Sequence, residues 1–234
     1  MTVLGIDTTS EQGSLCWTEK GKTSVTSIFE GGRRHSFSLF SAVSKLLHEQ
    51  KRDLPDVDLF GVTTGPGSFT GIRVGLAAVK GWAETLNKPV VGVSVFEAMV
   101  FSANPRTSWA VPIVNGDRGQ IYFSFFQSLE SEGSFKITEE PIVMGIEGFI
   151  SCCQEKIPGQ NEPTFITLPN QDLINKLSHI HVENLIWKYS SLPISQTVAH
   201  IAKEKFIKGK ISSAEKVKPL YIRRPDAEIQ WQDD

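Results

Sequence analysis

Short uninterrupted apolar runs alternate with longer stretches of helical period along this chain, and that alternation sets an element order. Val3–Ile6 is a brief apolar run ending in Asp7-Thr8-Thr9-Ser10, the pattern of a buried strand feeding a polar turn. Residues 13–18 and 23–29 give two further strands around the turn-forming Glu19-Lys20-Gly21-Lys22. A helix is expected over 36–50, a strand over 59–63, a glycine-rich turn, and a second helix over 70–86. A strand over 90–93 and a short helix over 95–101 close the first half, before the linker-like Asn104-Pro105-Arg106. Residues 109–114 and 121–126 then read as a hairpin across Asn115-Gly116-Asp117-Arg118-Gly119. Beyond residue 130 the pattern yields only a strand at 164–167, a helix from Ser195 to about Ile207 and an extended tail. This order implies an α/β protein in two parts, an N-terminal lobe over 1–103 and a smaller C-terminal lobe over 104–234.

Two helices carry more apolar surface than one core needs. At 100° per residue, Gly71, Gly75, Ala78 and Trp82 form one narrow stripe of the second helix. Ile72, Leu76, Val79, Ala83 and Leu86 form an aliphatic stripe beside it, and the two together span about 200° of arc. In the first helix Phe37, Phe40, Val43 and Leu47 line one side and Leu39, Ala42 and Leu46 extend it as far. Each interior glycine costs the helix about 1 kcal/mol relative to alanine, so close approach of another element is expected in return. Two readings stand: a protein–protein interface, or helices buried between layers of one chain.

Candidate chemistry is sparse. The carboxylate of Asp7 followed by the hydroxyls of Thr8, Thr9 and Ser10 could hold a hydrated magnesium ion or meet phosphate oxygens. The same residue types also favour turns, where their oxygens bond nearby backbone N–H groups. Gly65-Pro66-Gly67-Ser68 suits a tight turn at a helix start, with Ser68 or Thr70 as N-cap and backbone N–H groups toward an anion. It is not a Walker loop, since no Gly-Lys-Ser/Thr follows at the required spacing. His179 and His181 share one face of a strand without a third ligand, and neither His-Glu-x-x-His nor Gly-x-Ser-x-Gly occurs. No metal site and no catalytic residue are therefore assigned.

Composition adds exclusions. Net charge is −2 with a pI near 6.2, which argues against a chain that grips RNA alone, because phosphate contacts dominate that affinity. Cys16, Cys152 and Cys153 make no CxxC pair and read as reduced thiols. The start of the chain lacks a signal-peptide pattern, and no apolar run approaches the ~20 residues of a membrane span, so a cytoplasmic protein is expected.

The stretch Gly65-Pro66-Gly67-Ser68-Phe69-Thr70-Gly71-Ile72-Arg73-Val74-Gly75 resembles the signature of the TsaB (YeaZ) family. Ile6-Asp7-Thr8-Thr9-Ser10, His35, Gly119-Gln120-Ile121-Tyr122 and Pro219-Leu220-Tyr221-Ile222-Arg223 are similar to its companion motifs. The resemblance implies an actin/Hsp70/sugar-kinase fold with two lobes built on ribonuclease-H-like motifs. It implies a non-catalytic partner of a TsaD-like subunit, which transfers threonylcarbamoyl to the adenosine next to the tRNA anticodon. His35, Phe37, Phe40, Val43, Leu47, Gly71, Gly75, Ala78 and Trp82 would then meet that partner. A TsaE-like ATPase, tRNA held through the complex, and a homodimer of the isolated chain are further expectations. No cofactor is expected on the chain alone, with ATP or ADP and magnesium entering in the complex. Asn115-Gly116-Asp117 departs from the family's Asp-Ala-Arg, with Arg118 one place later. The competing reading is an ATPase or phosphotransferase using Asp7 and the Gly65–Gly67 turn, although the C-terminal half lacks a second glycine-rich phosphate turn. A peptidase, a label relatives have carried by homology, lacks its metal and nucleophile motifs here.

Overall fold

The computed structural model describes residues 1–20, 24–30, 35–116, 119–129, 134–157, 163–168, 173, 186–190, 193–210 and 213–222, with 35–37 as backbone only. By proximity of the backbone the chain forms two units, Met1–Ser102 with Ser191–Pro219, and Ala103–Ser190 with the described residues from Leu220 on. The sequence reading instead placed a single boundary after residue 103. Returning of the chain to the first unit is invisible to a pattern that is local in sequence.

The first unit is a five-stranded sheet in the order β3-β2-β1-β4-β5. The strands are β1 (Thr2–Asp7), β2 (Gln12–Glu19), β3 (Val25–Glu30), β4 (Leu59–Thr63) and β5 (Val90–Val93). β1, β4 and β5 are mutually parallel, while β2 and β3 continue the sheet antiparallel. β1 and β4 are buried on both faces after their first residue, as expected of central parallel strands that read as continuous apolar runs. Leu4, Ile6, Phe60 and Val62 pack with α1 (His35–Gln50) and α2 (Phe69–Leu86). Gly5 and Gly61 meet α5 (Ile194–Ile207) instead, which lies close because Ala199 and Ala202 oppose them. The alternation of strand side chains thus divides one sheet between two helical layers.

The second unit contains β6 (Trp109–Asn115), β7 (Gln120–Phe123), β8 (Phe126–Ser128), β9 (Phe135–Ile137), β10 (Ile142–Gly145), β11 (Pro163–Thr167) and β12 (Ile186–Tyr189). Its main path runs β10-β7-β6-β11-β12, with β8 on β6 and β9 on β8. β6, β11 and β12 are parallel and β7 and β10 antiparallel, so the path repeats the topology of the first sheet. No sequence repeat announces this. α4 (Ile146–Lys156) covers the sheet through Phe149 and Cys153, with Ile157 just beyond its end. Phe149 stands edge-on to Phe123 at 4.8 Å and to Phe165 at 5.5 Å. α3 (Val95–Ala103) connects the units in sequence.

Candidate functional site

β1 and β4 run side by side with Ile6 opposite Val62, so the turns that follow them meet at one sheet edge. Asp7 Oδ1 accepts three hydrogen bonds, from the Thr9 N–H at 3.1 Å, the Thr9 hydroxyl at 2.7 Å and the Thr63 hydroxyl at 3.0 Å. The Thr9 carbonyl in turn accepts the Ser68 N–H at 2.7 Å. Gly65 and Gly67 hold φ of 111° and 150°, conformations that glycine alone adopts without strain. A Cβ at Gly67 would also overlap the Thr9 carbonyl. Ser68 caps α2, its hydroxyl accepting the Gly71 N–H at 3.2 Å, which contributes about 1 kcal/mol to such a helix. One turn of α2 further on, a Cβ at Gly75 would run into Thr8 Oγ1. The two turns are stitched to each other.

Asp7 is 2% exposed, and burial pushes its carboxyl above the ordinary value of 3.8. The Thr9 hydroxyl, the Thr9 N–H and the Thr63 hydroxyl pull it back down and lose to desolvation. A group whose folded pKa is raised contributes stability below its unfolded pKa and loses it as pH climbs through the folded one. Asp7→Asn, which has no charge to bury, is therefore expected to gain on the wild type as pH rises from about 4 toward neutrality. Urea denaturation across that range measures the gap, and a gap independent of pH would contradict the raised carboxyl.

Several of the atoms that would meet a phosphate or hydrated magnesium are already engaged within the chain. Oδ1 of Asp7 is saturated by three donors and the Thr9 carbonyl is taken by Ser68. Thr8 Oγ1 is buried without a hydrogen-bond partner, but the backbone of α2 at Gly75 occupies the space before it. Ser10 turns aside and donates to the Gln12 carbonyl at 2.7 Å. Thr63, absent from the expected site, is its third member. The signal available for it was a polar residue ending an otherwise apolar strand, as Asp7 ends β1.

The docking candidates separate on burial. Gly71, Gly75 and Ala78 belong to the buried face of α2, and Val43 and Leu47 of α1 to the same core, so their own chain already covers them. This corrects the expectation for those five, because the excess apolar arc is consumed between the sheet and the packed pair α1–α2. Phe40 differs. It is 50% exposed and stands edge-on to the half-buried Trp82 with ring centroids 5.5 Å apart. Gly81, next to Trp82, is exposed, and a Cβ there would meet nothing within 4 Å. His35 and Phe37 begin α1, but their side chains lie outside the described residues, as do Asp117, Arg118, His179 and His181. Among the described residues no three His, Cys, Asp or Glu side chains gather as a metal site, and the three cysteines are free. No described helix is long and apolar enough to cross a membrane.

Comparison with known proteins follows the same lines. Residues 29–143 match the family model described as "TsaD: tRNA N6-adenosine threonylcarbamoyltransferase". A protein of that name from Brachyspira hyodysenteriae is 31% identical over 130 residues, covering 49% of this chain and 38% of the relative. The tRNA threonylcarbamoyladenosine biosynthesis protein TsaB of Bacillus subtilis is 29% identical, covering 54% of this chain and 56% of its own length. The chain thus spans less than two thirds of either of these relatives. TsaB of Haemophilus influenzae is 25% identical over 99% of this chain and 96% of its own length. Among solved structures, YeaZ from Pseudomonas aeruginosa superposes with a TM-score of 0.75 at 21% identity, covering 94% of this chain and 99% of that one. The activator of the 2-hydroxyisocaproyl-CoA dehydratase from Clostridium difficile, with bound ADPNP, gives 0.53 at 10% identity, covering 90% and 97%. The doubled sheet topology and these superpositions place the chain in the actin/Hsp70/sugar-kinase class of α/β folds.

Proposed function

We propose that this chain, similar to TsaB over nearly its whole length, serves tRNA threonylcarbamoyladenosine formation as a non-catalytic subunit that docks a TsaD-type transferase. The observation that carries the docking role is the exposed ring of Phe40 braced edge-on by Trp82, with open space over Gly81 beside it. A large aromatic held rigid at the surface loses little entropy on association, and such residues dominate binding energies. A glycine with no neighbour lets a partner's backbone come close. The docking set is thereby narrowed to Phe40, Gly81 and Trp82, with His35 and Phe37 kept from the resemblance. The engagement of Asp7 Oδ1 by three internal donors supports a role without catalysis on this chain. ATP or ADP and magnesium belong, in this reading, to the assembled complex with its TsaE-like ATPase.

Phe40→Glu and Gly81→Leu test the proposal at positions where the fold does not depend on the side chain. Each is expected to weaken co-elution with the TsaD-type subunit by about tenfold or more in affinity while leaving the unfolding midpoint near that of the wild type. Undiminished binding by both variants would remove the docking face. Modification of tRNA by the mixture, and not by either subunit alone, is the expected result for the division of labour.

A further inference from the structure

The Asp7–Ser10 turn bears every mark that suggests phosphate chemistry in the sequence, yet Asp7 Oδ1, the Thr9 hydroxyl and carbonyl and the Ser10 hydroxyl are engaged inside the chain. Asp7 Oδ1 fixes Thr9 through both the amide and the hydroxyl of that residue and ties it to Thr63 at the end of β4. Thr9 passes the constraint to the start of α2 by accepting the Ser68 N–H at 2.7 Å, with Gly67 pressed against the same carbonyl. Thr8, 0% exposed, seats Gly75 in the middle of α2. From Asp7 to Gly75 this is one continuous set of contacts between the sheet edge and the first two turns of the helix.

We propose that Asp7 is a positioning residue, setting the place of α2 through Thr9 and Ser68 so that the helix presents Trp82 and Gly81 to a partner. This rests on the docking reading of those two residues. The carboxylate acts as an acceptor for internal donors, so its geometry matters and its charge does not. A residue that ligated magnesium or faced a phosphate would behave in the opposite way, because an amide of the same shape cannot supply the negative charge.

The test compares Asp7→Asn, which keeps an acceptor oxygen in place, with Asp7→Ala, which removes it, and with the milder Thr63→Val. Backbone hydrogen exchange over residues 68–76 is read on the isolated chain, and affinity for the TsaD-type subunit is read separately. Asp7→Ala is expected to raise exchange in that segment by about tenfold relative to the central strands of the sheet, with Thr63→Val intermediate and Asp7→Asn close to wild type. Partner affinity is expected to fall in the same order. Should Asp7→Ala unfold the chain, the Thr63→Val and Asp7→Asn pair carries the comparison. Unchanged exchange at 68–76 in both Asp7→Ala and Thr63→Val overturns the proposal. So does an Asp7→Asn variant that loses partner binding as completely as Asp7→Ala, since charge would then be the requirement. Graded exchange across the variants, together with a wild-type chain that binds no TsaD-type subunit, would instead sink the docking reading and leave the internal coupling standing.

Discussion

Leucine at position 75 is expected to destabilise the isolated chain by about 3 kcal/mol or more, while leucine at position 81 of the same helix leaves it as stable or slightly more so. A Cβ at Gly75 already overlaps Thr8 Oγ1, and Thr8 cannot withdraw because its neighbours Asp7 and Thr9 are bonded to each other and to β4. The branched side chain must therefore lift α2 from the sheet edge or break the turn. At Gly81 the same substitution meets open space, and replacing glycine in a helix interior contributes up to about 1 kcal/mol. Thermal and urea denaturation of the two variants decide the matter. The family resemblance implies that Gly75 meets a partner chain, while the sequence pattern alone leaves burial within one chain equally open. The structure assigns that contact to one chain, and a Gly75→Leu protein with the wild-type midpoint would reverse the assignment.

The second large effect is expected in β1, on the sheet face that receives α5. Gly5→Val should cost about 3 kcal/mol or more and loosen α5 from the sheet. A Cβ at Gly5 would overlap the Ser195 carbonyl and stand 2.8 Å from the Ala199 Cβ and 2.9 Å from its amide nitrogen. These are atoms of helix backbone and of a methyl with no rotamer to give. A Cβ at neighbouring Gly61 would stand 2.8 Å from the Ala202 Cβ in the same sense, so the seat of α5 is continuous across β1 and β4. Limited proteolysis reads the result directly, because cleavage between 207 and 213 should accelerate when α5 is displaced. Wild-type stability together with an unchanged cleavage rate would mean that 194–207 is not anchored where Gly5 and Gly61 receive it.

Much of the first unit was legible because its signals are local. The strands over 59–63 and 90–93 fall where the apolar runs place them, and α1 and α2 each begin within one residue of expectation. Asn87, with φ of 50°, ends α2 as a left-handed cap. The hairpin partner expected over 121–126 is two pieces, β7 and β8, with Ser124 and Phe125 between them. Both are buried, and a run of aromatics reads the same to periodicity whether or not the ladder is continuous. β9, β10, α4 and β12 were missed. In α4 only Phe149, Cys153 and the following Ile157 mark the buried face at spacings of four, and β12 offers Ile186-Trp187-Lys188-Tyr189 with no alternation. The extended tail expected over the last dozen residues, 223–234, lies outside those described; ahead of it Ala214–Lys216 form a short 3-10 turn and Val217 is buried against the first core.

What the amino-acid sequence determined by itself was the class of fold and the identity of the motifs, since these depend on residue types at fixed spacing. Gly65 and Gly67 had to be glycine, and Ser68 had to cap a helix, because backbone conformation and capping are settled within a few residues. Whether an apolar stripe faces its own sheet or another protein depends on elements far away in sequence. So does whether a carboxylate meets a ligand or a threonine that lies 56 positions on. Only the tertiary structure decided that Gly75 belongs to Thr8, that Asp7 belongs to Thr9 and Thr63, and that Phe40 is left facing outward. Periodicity reports how much apolar surface a helix must cover, and packing decides what covers it.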